Sequence, residues 1–248
     1  MVNASPVLVW SFVALVAMVA AMFVLAVYRS SVGPGRGTVV AAAATVVWLG
    51  ATLALAASGR LSFTTRPPTM AIVILASLVL AFGVSLSRVG LRIATGVPLA
   101  ALVGAQAFRF PLELILHRAY AEGLMPVQMS YSGFNLDILT GVSAIVVATL
   151  LLRNPTSFVA VRIWNTAGIV LLTNIVTIAI LSAPTPLRVF HNEPANDWIT
   201  HAPWVWLPTV FVVAAIMGHV LVLRRLRVDM GRAVAKLDTA VPTRAIAS

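Results

Sequence analysis

Runs of about 20 apolar residues follow one another along almost the whole of this chain, each long enough to cross a bilayer core as a helix. A backbone surrounded by lipid must satisfy its own polar groups, which leaves helices and closed barrels. Barrel strands alternate apolar and polar residues in short segments, and that alternation is missing here. The sequence therefore predicts an all-α, polytopic transmembrane helix bundle. Its 10% charged residues, against roughly 25% in soluble domains, agree.

Turn chemistry divides the apolar runs into seven expected spans: 7–28, 38–58, 69–87, 94–120, 136–152, 161–182 and 204–223. "SVGPGRG", "TTRPP" and "RNPTS" are three of the breaks. The run from Val7 to Tyr28 is too long for a secretory signal and has no basic residue before it, so it reads as a retained first span. With the C-terminus inside, one side holds Arg29, Arg36, Arg88, Arg92, Arg153, Arg162, Arg224, Arg225, Arg227, Arg232, Lys236 and Arg244. The other holds only Arg60, Arg66, Arg118 and Arg188. This bias predicts the N-terminus outside and the C-terminus cytoplasmic. Residues 1–223 then form the membrane domain and 224–248 a basic cytoplasmic tail. Trp204 and Trp206 fit an aromatic belt at the outer surface. The net charge of +10 does not point to nucleic acid, because it lies in short loops and a tail rather than on a soluble face. The absence of cysteine excludes disulfides, thiolate metal sites and cysteine nucleophiles.

The fourth span, "QAFRFPLELILHRAY", carries charge where hydrocarbon is expected. At about 100° per residue, Gln106, Arg109, Glu113 and His117 form one stripe. Against lipid each charge would cost about 2.5–3.5 kcal/mol, so the stripe must face protein or water. Arg109 and Glu113 are four apart and can pair on one helix. Pro111 between them predicts a backbone kink. At the start of the fifth span, Asn135 reads as an N-cap, and Asp137 as an acid favourable to the helix dipole. Both also lie level with His117, so they join the candidate ligand-binding set.

The outer loop adds His191, Glu193, Asp197 and His201. Imidazole with carboxylate is the ligand set for a divalent metal, zinc or manganese, here His117, Asp137 and His201. The same groups serve proton transfer. Asn165, buried in the sixth span, predicts an interhelical hydrogen bond. His219 is expected about 22 Å below the outer end of the last span at about 1.5 Å per residue, near the cytoplasmic side and too far from His117 to share one metal. Retinal is excluded because the only lysine, Lys236, is in the tail.

The segments "QAFRFPLELILHR", "GLMPVQMSYSGFNLDILTG", "WNTAG", "SAPTPLRVF" and "WLPTVFVVAAIMGH" resemble a family of uncharacterised bacterial multi-pass inner-membrane proteins, over about residues 100–222. That resemblance implies a bacterial cytoplasmic membrane and no particular activity. The chain is more distantly similar to seven-span ceramidase-like metal hydrolases. These place paired histidines in the last span, where this sequence has only His219.

Three readings follow. The first is a binding or translocation protein, taking a small polar or anionic ligand into an outward-facing pocket between the fourth and fifth spans, with Arg109 as charge partner. The second is an intramembrane metal-dependent hydrolase, with Glu113 as general base. The third is a structural or assembly subunit, including a homo-oligomer, whose stripe docks another helix in the bilayer.

Overall fold

The computed structural model describes residues 4–30, 35–63, 65 and 67–240, with side chains as far as Gly231. Every regular element among them is helical: α1 Pro6–Ser30, α2 Arg36–Ala57, α3 Thr69–Leu86, α4 Arg88–Gly96, α5 Leu99–Gly104, α6 Arg109–Ala121, α7 Ile138–Arg153, α8 Phe158–Ser182 and α9 Val212–Ala240. Six described stretches are long and apolar enough to cross a membrane: α1, α2, α3, Leu99–Ala121, α8 and Leu207–Gly231. The expected fifth span is α7, a shorter apolar helix of 16 residues, about 24 Å long. It ends where Asn154, extended at φ −135° and ψ 91°, precedes Pro155, a position that disfavours helix.

The fourth span departs from one continuous helix over 94–120. Residues 88–96 form a separate short helix, α4, and Val97 is extended because Pro98 follows it. Beyond α5 the chain tightens into a 3-10 turn at Ala105–Phe108 before α6 begins at Arg109. Pro111 cannot donate to the carbonyl of Ala107, and the tight turn falls on those residues. The expected kink is thus taken up before the proline.

The last helix also differs from its predicted bounds. It opens with a widened π-turn at Leu207–Phe211 and continues through 223 to Ala240, without a break where the tail was expected to begin. Residues 241–248 of that tail lie outside the described residues. Arg224 and Arg225 serve as caps. Arg224 Nη1 donates to the carbonyls of Ser85 and of Ser87 (2.8 Å), and Arg225 Nη1 to those of Ala94 (3.1 Å) and Val97 (2.8 Å). These bonds close helix ends that would otherwise leave carbonyls unpaired.

Helix α9 packs on α3, α4, α5 and α8, and α7 packs on α5, α6 and α8. Helix α2 is peripheral, with only Thr52 and Ala56 buried. Two indoles hold it: Trp48 Nε1 donates to the carbonyl of Thr209 inside the π-turn (2.9 Å), and Trp206 Nε1 to that of Leu49 (3.2 Å). Trp204 and Trp206 are therefore buried core residues rather than a lipid-facing belt. Trp204 meets Phe12 at 4.8 Å between centroids, and Phe12 meets Phe211 at 5.4 Å.

The apolar core falls into two large clusters. One gathers Phe12, Phe108, Leu112, Leu172, Trp204 and Phe211 toward the end bearing the long loops. The other gathers Ile93, Leu102, Val161, Trp164 and Leu221 toward the opposite end. Along three of the four chain segments they share, buried polar residues lie at the junction of the clusters: Gln106 and Arg109, then Asn165, then His219, whereas along α1 the junction is apolar.

Candidate functional site

That polar layer is the candidate site. Arg109 is 1% exposed, and two of its nitrogens grip Asp137 at the head of α7. Nε donates to Asp137 Oδ2 at 2.6 Å while Nη2 pairs with Oδ1, the two-pronged geometry that suits guanidinium and carboxylate. The same-helix pairing of Arg109 with Glu113 is not what forms. Arginine four residues before glutamate is the weaker orientation on a helix, and Asp137 offers a forked partner across the interface.

Arg109 Nη1 lies 2.8 Å from His219 Nε2. Guanidinium nitrogens only donate, so Nε2 accepts and the imidazole proton sits on Nδ1. Nδ1–H then donates to Asn165 Oδ1 at 3.0 Å. His219 is thereby a neutral bridge from α9 to α6 and α8, and Asn165 makes the interhelical bond expected of it. His219 itself was expected elsewhere. The bond between Arg109 and His219 places the two at one depth of the bundle.

Glu113 is also 1% exposed, and its Oε2 accepts from Asn135 Nδ2 at 2.7 Å. Asn135 Nδ2 donates to the carbonyl of Met129 as well (2.9 Å), and its Oδ1 accepts from the Asp137 amide (3.0 Å). Asn135 is thus a buried bracket that ties loop to helix. Asp137 occupies the N-cap position of α7 but makes no side-chain cap bond, because Arg109 takes its carboxylate. Gln106 Nε2 reaches the carbonyl of Ala214 at 3.4 Å. Gln106 Oε1 and Asn165 Nδ2 are buried without a hydrogen bond among the described residues.

Two glycines permit this closeness. A Cβ on Gly141 of α7 would overlap the Phe110 backbone nitrogen of α6, so those helices touch through main chain. A Cβ on Gly168 of α8 would overlap the His219 ring. Small residues at such crossings let polar groups from different membrane helices meet.

A cavity of about 70 Å³ adjoins the layer on the loop side. Arg109, Glu113 and Asp137 form part of its wall, and the remainder is apolar, including Phe108, Phe211, Leu172 and Met129. Two loops close over this end. Gln128 Nε2 donates to Ser182 Oγ (2.8 Å), and Asn192 Nδ2 donates to Gln128 Oε1 (2.9 Å).

The other predicted site residues are placed apart from the layer. His117 stacks on Tyr131 at 4.3 Å between centroids, and its Nδ1 faces Ser132 Oγ at 3.2 Å. His201 is exposed and faces Thr200 Oγ1 at 3.1 Å. Asp137 is on Arg109. Among the described residues no three His, Asp or Glu side chains gather as a group that could hold a metal.

A family model matches residues 66–227, from before α3 into α9, and so contains every residue of the polar layer. The chain belongs to the DUF8737 family, described as a domain of unknown function. No curated protein and no solved structure matches it. In this DUF8737 chain, α1 and α2 precede the matched segment. The match accords with the resemblance to an uncharacterised family and assigns no activity.

Proposed function

We propose that this protein spans a bacterial cytoplasmic membrane seven times, with its N-terminus outside, and binds or translocates a small polar ligand through the cavity beside Arg109, Glu113 and Asp137. The observation that carries this reading is the cavity itself, a space at the inner depth of an apolar bundle with three ionisable groups in its wall. Ionisable groups at that depth are expensive in lipid, and their usual role is in a substrate or ion pathway. The topology is supported by Arg29, Arg36, Arg88, Arg92, Arg153 and Arg162, which are exposed near helix ends that alternation along the chain assigns to one face. Helix α7 then completes the seventh crossing.

The test is a ligand screen by thermal stabilisation of purified protein, repeated on Val176→Phe. Val176 lines the cavity from α8 and carries no polar group of its own. A ligand that stabilises the wild type and loses that effect in Val176→Phe supports the reading. A ligand that stabilises both equally binds elsewhere, and no stabilising ligand in a broad screen of small ions and polar molecules overturns it.

A further inference from the structure

The charges in the cavity wall do not balance, and the imbalance identifies a ligand class. Arg109 is spent on Asp137 through two nitrogens and on His219 through a third. His219 is neutral by its hydrogen-bond pattern. Among the described residues Glu113 has a single neutral donor, Asn135 Nδ2 on Oε2, and no hydrogen bond to Oε1. Around it, α6 contributes Arg109, the head of α7 contributes Asp137, and α9 contributes His219 behind the guanidinium. The facing residues of α8 on the cavity wall are apolar. With both carboxylates ionised, the layer holds two negative charges and one positive. An uncompensated charge at such burial is costly, so the stable state carries one more positive charge.

We propose that the cavity is a site for a single monovalent cation with the Glu113 carboxylate as counter-ion, in which a small ammonium ion and a proton exchange. This rests on the cavity being a ligand site, and it replaces the anion expected from Arg109, whose charge is already neutralised. The apolar wall favours a partly methylated ammonium. Phe108 and Phe211, whose rings stack on each other with centroids 5.9 Å apart, form part of that wall. A metal cation would require several oxygen ligands, and this wall supplies only two carboxylates. The cavity has room for about five waters, which sets the size of the guest. On exchange, the O–H bond of the protonated Glu113 carboxyl breaks, the proton leaves to solution, and the ammonium ion takes its place. Nothing is oxidised or reduced.

The experiment titrates purified full-length protein, in weakly buffered detergent, with methylammonium and tetramethylammonium chloride, while recording released protons and thermal stability. Trimethylacetate serves as the anionic analogue and tert-butanol as the neutral one. The expected result is stabilisation by an ammonium ion with close to one proton released per chain. Its apparent affinity rises about tenfold per pH unit while Glu113 is protonated. Glu113→Gln abolishes both effects, and Glu122→Gln, at the surface, leaves them unchanged. If Glu113→Gln does not fold, Glu113→Asp and the wild-type proton count decide. Ammonium binding without proton release overturns the proposal. So does stabilisation by trimethylacetate or tert-butanol alone, although the cavity then remains a ligand site. Failure of every probe overturns this proposal, while the ligand site stands or falls with the broad screen.

Discussion

The pairing of Arg109 with Asp137 makes a quantitative prediction. The two side chains are 1% and 7% exposed and share two contacts, one of them a 2.6 Å hydrogen bond. Removing one partner strands the other's charge in a buried site, which costs about 3–5 kcal/mol. Asp137→Leu leaves Arg109 with His219 and a nearby Glu113, and should fall near about 3 kcal/mol. Arg109→Met leaves two carboxylates together and also removes the donor to His219, and should approach about 5 kcal/mol. The double variant exchanges the pair for apolar groups, a replacement that is often near neutral. Its cost should therefore lie at least about 2 kcal/mol below the sum of the single costs, a coupling expected only for groups in contact. Reversible unfolding in mixed micelles, monitored by tryptophan fluorescence, gives all four values. Additivity within about 0.5 kcal/mol would show that the two residues do not depend on each other, and the description of the polar layer would fail.

Two further predictions concern neighbouring contacts. Gly168→Ala places a methyl group against the His219 ring and the Thr140 methyl, and should cost about 1–3 kcal/mol in the same assay, with unchanged stability counting against the close approach. At the loop end, Glu122 accepts from the Ser5 hydroxyl (2.6 Å), the Ser5 amide (2.8 Å) and Arg118 (2.6 Å), and these bonds, those from Ser5 foremost, pull its pKa from 4.5 down to about 2. A lowered folded-state pKa gives a contribution that is complete above 4.5 and disappears as pH falls toward 2. Amide exchange in the first turn of α1 should therefore accelerate across that window in the wild type and not in Glu122→Gln. Identical profiles would dismiss the Ser5 bonds as the anchor.

Much of the bundle was legible because hydropathy over about 20 residues responds to lipid rather than to detailed packing. The inward-facing stripe was legible for a related reason. Gln106, Arg109 and Glu113 have no acceptable place in hydrocarbon, and all three are buried. What spacing could not supply was the partner. It offers Glu113 to Arg109 at four residues, whereas Asp137 comes from 28 residues away through a loop whose path Asn135 fixes. His219 was missed because Arg224 and Arg225 looked like the end of the membrane. The bundle spends both on carbonyls, the helix runs on past them to Ala240, and His219 meets Arg109 inside the bundle. The 3-10 and π-turns were readable only as places where the helix must give, marked by Pro111 and Pro208, because the form each takes is settled by packing between helices.

The main-chain contact at Gly141 has a mechanical consequence. Two rods that touch backbone to backbone cannot be squeezed closer, and drawing them apart would strip Asp137 from its guanidinium. That side of the chamber is rigid. Helix α8 meets the same chamber through Leu172, Ile175, Val176 and Ala179, of which all but Leu172 are only partly buried. The chamber can therefore widen only on the α8 side, with the fixed pair opposite as its anvil.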